Sequence, residues 1–138
     1  MCAFCDVVAD PSLVHLVYED ATTIAFLDHR PLFKGHSLVV PKGHVETLGD
    51  LPRDRVGPYF EVVQLLGAAV QEAMGAHGSF IALNNKVSQS VPHLHVHVVP
   101  RNKKDGLRGF FWPRTRYESE SDAAGVAASI RRAVAEVS

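Results

Sequence analysis

Cysteine and net charge are both scarce in this chain, and each scarcity narrows what it can be. Only two cysteines occur in 138 residues, close together at Cys2 and Cys5. A chain of this length buries a sufficient core without cross-links, so the pair reads as half of a metal site or a redox pair rather than a structural disulfide. Redox Cys-x-x-Cys pairs follow a strand and open a helix, whereas this one stands at the head of the sequence, which favours metal. Fourteen Lys and Arg against fifteen Asp and Glu leave a formal charge of −1. That balance argues against nucleic acid as a partner, since its binders present a basic face. No apolar run approaches the roughly 20 residues of a membrane span, and no charged segment leading into an apolar one opens the sequence. The expectation is a cytoplasmic protein with no membrane contact. Internal repeats and low-complexity linkers are missing too, and the length predicts a single domain over 1–138.

Histidine, by contrast, is abundant. Three of the eight alternate within Ser90-Val91-Pro92-His93-Leu94-His95-Val96-His97-Val98-Val99-Pro100. On a strand, His93, His95 and His97 would line one face while Leu94, Val96 and Val98 enter the core. Adjacent imidazoles disfavour one another's charged forms, which makes a purely structural role the weakest reading. Two functional readings stand beside it: a histidine metal site, or a nucleophilic histidine flanked by two that orient it and bind an anion. At neutral pH an imidazole with the ordinary pKa of about 6.5 already carries a free lone pair. It needs a partner on its other nitrogen and hydrogen-bond donors around the phosphate. Gln89, Ser90 and His97 are placed by sequence to supply those donors.

The rest of the chain reads as an α+β domain with a mostly antiparallel sheet. Residues 14–18 and 22–27 form a hairpin, Asp28 to Gly35 a loop, and 37–40 a short buried strand. From Leu51 to Ala76 the apolar residues recur at helical spacing, and Pro58 predicts that the regular helix starts near it or kinks there. Residues 79–83 form a strand, 84–90 a polar loop, and 93–99 the histidine strand. Lys103 and Lys104 lie in a basic turn that reads as a solvated loop or as a contact for a polyphosphate. The aromatic cluster Phe110-Phe111-Trp112-Pro113 packs on the core, meets a second subunit or walls a pocket. A final helix covers 122–137.

These residues resemble a known family. His93-Leu94-His95-Val96-His97-Val98-Val99, preceded by Gln89-Ser90-Val91, is similar to the signature of the histidine triad (HIT) nucleotide hydrolases and transferases. Phe26-Leu27-Asp28 and Gly35-His36-Ser37-Leu38-Val39-Val40-Pro41-Lys42-Gly43-His44 match the family's nucleotide-binding and fourth-histidine segments, in the usual order. The resemblance covers residues 2–101 and leaves 102–138 as an extension. It implies a HIT-like fold with one long helix and a C-terminal helix, and His95 as the nucleophile that carries a nucleotidyl group from the α-phosphorus. His97 would contact the phosphate or stabilise the leaving group, with His36 as the fourth histidine beside it. Gln89 and Ser90 would hold phosphate oxygens, and Asp28 the ribose hydroxyls. Ile24 and Phe26 read equally as base-pocket walls or as strand core.

The resemblance also completes the metal site. HIT branches with an N-terminal Cys-x-x-Cys use a quartet that corresponds here to Cys2, Cys5, His44 and His93, a closed structural zinc set. Many HIT proteins are homodimers, which is the expectation here. Ser88 departs from the pattern, standing where many relatives have glycine. Dinucleoside polyphosphates are the first choice of substrate and adenosine phosphoramidates the second. A zinc-stabilised nucleotide-binding module without turnover is a rival, as is a metallohydrolase holding one catalytic metal on His93, His95 and His97.

Overall fold

The computed structural model describes residues 2–107 and 114–137. The cluster Phe110 to Pro113 lies outside the described residues. Five strands, β1 (Leu16–Glu19), β2 (Thr23–Leu27), β3 (Ser37–Pro41), β4 (Gly78–Ala82) and β5 (Val96–Arg101), form one antiparallel sheet in the order β1-β2-β3-β5-β4. The α+β architecture expected from sequence is therefore the one observed. Helix α1 (Ala3–Ala9) covers one face and α2 (Arg53–Ala73) the other.

Both faces of β2 and β3 are covered, so these strands carry continuous apolar runs. The register pairs Ile24 with Val40, Ala25 with Val39 and Phe26 with Leu38. Ala25, Val39, Val96 and Val98 face α2 and meet Tyr59, Val62, Val63, Leu66 and Val70. Ile24, Phe26, Leu38 and Val40 face the other way, under Phe4 and Val7 of α1. The Tyr59 hydroxyl donates to the Val39 carbonyl at 2.7 Å, which satisfies a buried polar group inside the larger core.

Two expectations are corrected. Helix α2 begins at Arg53 and runs through Pro58. Gly57 precedes the proline and has no Cβ to clash with its ring. The one helical bond that Pro58 forgoes is to the carbonyl of Asp54, and both residues are exposed to water. The histidine strand starts at Val96 rather than His93, because the Leu94 amide donates to Val45, outside the sheet, at 2.8 Å.

The sheet with α1 and α2 makes one compact unit, Met1–Asp105. A second, Gly106–Ser138, contains α3 (Glu120–Val137), which the Ser119 hydroxyl caps by accepting from the Asp122 amide at 3.0 Å.

Candidate functional site

The face of the sheet opposite α2 carries the histidines, and backbone groups decide what each ring can do. His95 is 5% exposed, and its Nδ1 lies 2.8 Å from the His93 carbonyl. A carbonyl only accepts, so Nδ1 carries the proton and Nε2 the lone pair. His97 lies beside it, with ring centroids 5.0 Å apart. Phe4 of α1 stands edge-on to His95 at 5.1 Å and to His93 at 6.0 Å. That packing was not legible from sequence, because nothing in the Cys-x-x-Cys segment marks it as a helix facing the histidines.

A second chain of bonds sets His97. The Leu32 amide donates to His36 Nδ1 at 3.0 Å, so the His36 proton sits on Nε2. His36 Nε2 then donates to His97 Nδ1 at 3.0 Å, which places the His97 proton on its own Nε2. His97 thus presents a donor beside the His95 lone pair. Asp28 approaches His36 Nε2 at 3.6 Å through Oδ2, while its Oδ1 accepts from the Arg30 amide at 2.9 Å. Burial pulls the His97 pKa down to about 4, reinforced by His95 and His36 and opposed by Asp28. His36 is lowered by burial as well, with Asp28 opposing. Both rings are therefore neutral at physiological pH, and the relay carries directed single protons instead of charge.

The same reasoning separates two groups of potential metal ligands, Asp28/His36/His97 and Cys2/Cys5/His44/His93, each with its ligand atoms within 4.8 Å of one another. In the first, the Leu32 amide occupies His36 Nδ1, so Nε2 keeps its proton and has no lone pair for a metal. In the second, His93 Nε2 donates to the Pro41 carbonyl at 2.8 Å and leaves Nδ1 open. That nitrogen lies 3.1 Å from His44 Nδ1, 3.2 Å from Cys2 Sγ and 3.6 Å from Cys5 Sγ. Cys5 Sγ and His44 Nδ1 are 3.4 Å apart. A tetrahedral ion with bonds of about 2.0–2.3 Å separates its ligands by about 3.3–3.8 Å, and the separations here, from 3.1 to 3.6 Å, lie in or just below that range, so small shifts let the four residues hold such an ion. His93 turned into this quartet does not converge with His95 and His97 on one metal, which removes the three-histidine metallohydrolase. One argument from sequence is also corrected. The cysteine pair does open a helix, with Cys2 as the N-cap of α1 accepting from the Cys5 amide at 3.3 Å. What marks the pair as a potential metal group is its proximity to His44 and His93, not its position in the chain.

The remaining expected residues divide. Ile24 and Phe26 are 0% and 3% exposed and belong to the core under α1. Gln89 is braced within its loop, its amide donating to the Glu46 carbonyl at 2.6 Å and accepting from the Lys86 amide at 2.8 Å. Ser90 is exposed, and its hydroxyl has no partner among the described residues. Ser88 adopts φ 60, the left-handed region that glycine enters freely, and Lys86 does so at φ 69. Glu46 and Lys86, which brace this loop, carry no sequence signal of that role.

Comparison with known proteins agrees with this geometry. The HIT domain family model matches residues 12–104. "Protein hit" of Bacillus subtilis is 32% identical over 97% of this chain and 94% of its own. The adenylylsulfatase HINT3 of Arabidopsis thaliana is 34% identical over 77% of this chain and 55% of its own. The asymmetrical bis(5'-nucleosyl)-tetraphosphatase of Schizosaccharomyces pombe is 33% identical over 64% and 50%. Among solved structures, a HIT family member from Bacillus subtilis superposes with TM-score 0.85 at 32% identity, covering 95% of each chain. A zinc-bound histidine triad protein from Mycobacterium smegmatis gives TM-score 0.72 at 35% identity, over 93% of this chain and 96% of its own. Carrying the family's match over two thirds of its length and the histidine face described above, the chain belongs to the HIT domain family.

Proposed function

We propose that this HIT-family hydrolase or transferase cleaves a purine nucleotide conjugate at its α-phosphate through a covalent nucleotidyl-His95 intermediate. The observation that carries the reading is the tautomer of His95, whose Nδ1 proton on the His93 carbonyl leaves Nε2 as a nucleophile without a separate base. Attack by Nε2 forms the N–P bond as the leaving group departs with its electron pair. The His97 Nε2 proton hydrogen-bonds the charge developing on oxygen. The positive charge on the substituted imidazole is stabilised by the same His93 carbonyl. Water then attacks phosphorus, losing a proton to solvent, the N–P bond breaks with its electron pair returning to Nε2, and His95 recovers its lone pair. Asp28 accepts from the ribose hydroxyls, and Gln89 and Ser90 hold the phosphate oxygens once Gln89 leaves Glu46.

A dinucleoside polyphosphate is the favoured substrate, supported by the relationship to the Schizosaccharomyces pombe tetraphosphatase. Adenosine 5'-phosphoramidate is the second reading. In its favour, Lys103 and Lys104 lie beyond the far end of β5, about 20 Å along the strand from His95. The quartet Cys2, Cys5, His44 and His93 would hold a structural zinc, supported by its ligand spacing and by the zinc-bound Mycobacterium smegmatis relative. The closed set would leave no position for water; the ion would tie the N-terminus to the segment whose carbonyl orients His95. A homodimer belongs to the same reading, supported by β4 at the sheet edge with Ile81 43% exposed. Among the described residues no helix is long and apolar enough to cross a membrane, consistent with a cytoplasmic role.

Intact-mass analysis after an alkaline quench, with diadenosine tetraphosphate or adenosine phosphoramidate, tests the reading. A nucleotidyl adduct on wild type and none on His95→Ala is expected, and the accepted substrate names the leaving group. Nucleotide binding without adduct or product would replace it with a binding module.

A further inference from the structure

The sheet face turned away from His95 and His97 holds a cavity of about 250 Å³ between the ends of β2 and β3 and the start of α2. Its apolar wall is made by Pro41, Val45, Leu51 and Tyr59. Two polar groups in its lining have no partner among the described residues. Thr23 is 1% exposed and lies on the strand face shared with Ala25 and Val39, yet its hydroxyl makes no hydrogen bond. No fully buried side-chain N or O among the described residues lacks a partner, so the Thr23 hydroxyl opens into the cavity, where a bound molecule or water can meet it. Arg55 is exposed at the border of the cavity, and its guanidinium forms no ion pair. The 21-residue α2 also begins here, and its N-cap, Pro52, offers no side-chain acceptor, so the positive end of the helix dipole adds to the Arg55 charge.

We propose that this cavity binds a small monocarboxylate with an apolar aryl or short alkyl body, its carboxylate on Arg55 and Thr23. The volume accommodates about eight water-sized groups, which matches a single ring with a carboxylate and excludes a nucleotide. Guanidinium and hydroxyl together suit a planar carboxylate, and the Pro41, Leu51 and Tyr59 wall suits the ring. The cavity lies on the α2 side of the sheet, away from His95 and His97, although His44 of the quartet lines one end of it, so it does not depend on the catalytic reading of His95.

The test is a ¹H–¹⁵N NMR titration of the full chain with benzoate, and with benzyl alcohol as its neutral counterpart. Saturable shifts at the Thr22, Gly43, Val45 and Arg55 amides are expected, with benzyl alcohol at least tenfold weaker. Arg55→Met should weaken benzoate at least tenfold while its spectrum otherwise overlays wild type, and His95→Ala should bind as wild type does. Any one of three results overturns the proposal: no saturable shift, equal affinity for the neutral probe or in Arg55→Met, or shifts confined to the histidine face and reversed by AMP.

Discussion

Replacing His36 with phenylalanine keeps a ring of similar volume and removes both of its hydrogen bonds. The Leu32 amide loses its acceptor at 3.0 Å, and His97 Nδ1 loses its donor at 3.0 Å. Leu32 is 54% exposed, so water recovers much of the first loss. His97 Nδ1 is half-buried, and each stranded buried group costs about 1–3 kcal/mol. The expected sum is about 2 kcal/mol, or about 7 °C in Tm for a chain of this size. The functional effect is separate, because His97 Nδ1 then faces an apolar ring and its proton is no longer held on Nε2. A drop in kcat of about 10- to 100-fold is expected, the scale on which removal of an orienting partner acts. Long-range ¹H–¹⁵N correlation spectra of the imidazoles read the tautomers directly. Wild type should show His36 and His97 protonated on Nε2 and His95 on Nδ1, and the variant should show His97 as a mixture. A wild-type His97 protonated on Nδ1, or a His36→Phe protein with unchanged Tm and kcat, would refute the relay.

Acid provides a second prediction. The His97 pKa is about 4 in the folded protein against an ordinary 6.5, so below pH 6.5 the unfolded chain takes up the proton first. Its contribution to stability is complete above 6.5, falls through the interval to about 4 and is flat below. Solvent access cuts the roughly 3 kcal/mol implied by the shift to about 1–2 kcal/mol. Denaturant midpoints at pH 7.5, 6, 5 and 4 should trace this slope, and an identical slope in His97→Phe would count against it. At Ser88, φ 60 predicts that Ser88→Gly relieves backbone strain and raises stability by up to about 1 kcal/mol, read from urea unfolding. At the quartet, Cys5→Ser should abolish stoichiometric zinc measured by plasma mass spectrometry, while His95→Ala retains it. Burial and the neighbouring Cys2 push the Cys5 thiol upward in the absence of metal, so zinc affinity should also fall as pH drops.

What was legible in the sequence was legible for local reasons. Residues 24–27 and 38–41 are apolar throughout because both faces of the sheet are covered, and His97 alternates with Val96 and Val98 because strand geometry requires it, with His95 one residue ahead of the strand. Helix α1 was not legible, since seven residues with apolar contacts from Phe4 and Val7 have no helical preference worth counting without the sheet beneath them. The early start of α2 depended on Gly57 and on the exposure of the Asp54 carbonyl, a property of the fold and not of the proline. The cavity beside Thr23 has no signature at all, because its walls come from three separate segments.

The histidines show why composition and spacing stop short of mechanism. His36, His93, His95 and His97 are chemically identical, and the rings differ only in which nitrogen a fixed neighbour has claimed. The Pro41 carbonyl accepts from His93 Nε2–H and so turns the Nδ1 lone pair toward the two cysteines. The His93 carbonyl accepts from His95 Nδ1–H, which holds the proton there and leaves the Nε2 lone pair free to react. The Leu32 amide fills His36 Nδ1, which forces a proton between His36 and His97 and excludes a metal there. Substituting the partners therefore discriminates more sharply than substituting the rings, but two of these partners are carbonyls that no side-chain change removes. The accessible case is Leu32→Pro, which deletes the amide donor and leaves the His36 ring in place. His36 Nδ1 is then free to take the proton and Nε2 to accept, so the Asp28/His36/His97 group should gain metal affinity as the nucleotidyl transfer slows. Zinc stoichiometry rising from one to two per chain in that variant would support the argument from tautomers. A stoichiometry unchanged at one, in a protein whose spectrum shows it folded, would mean that the Leu32 amide is not what keeps metal out.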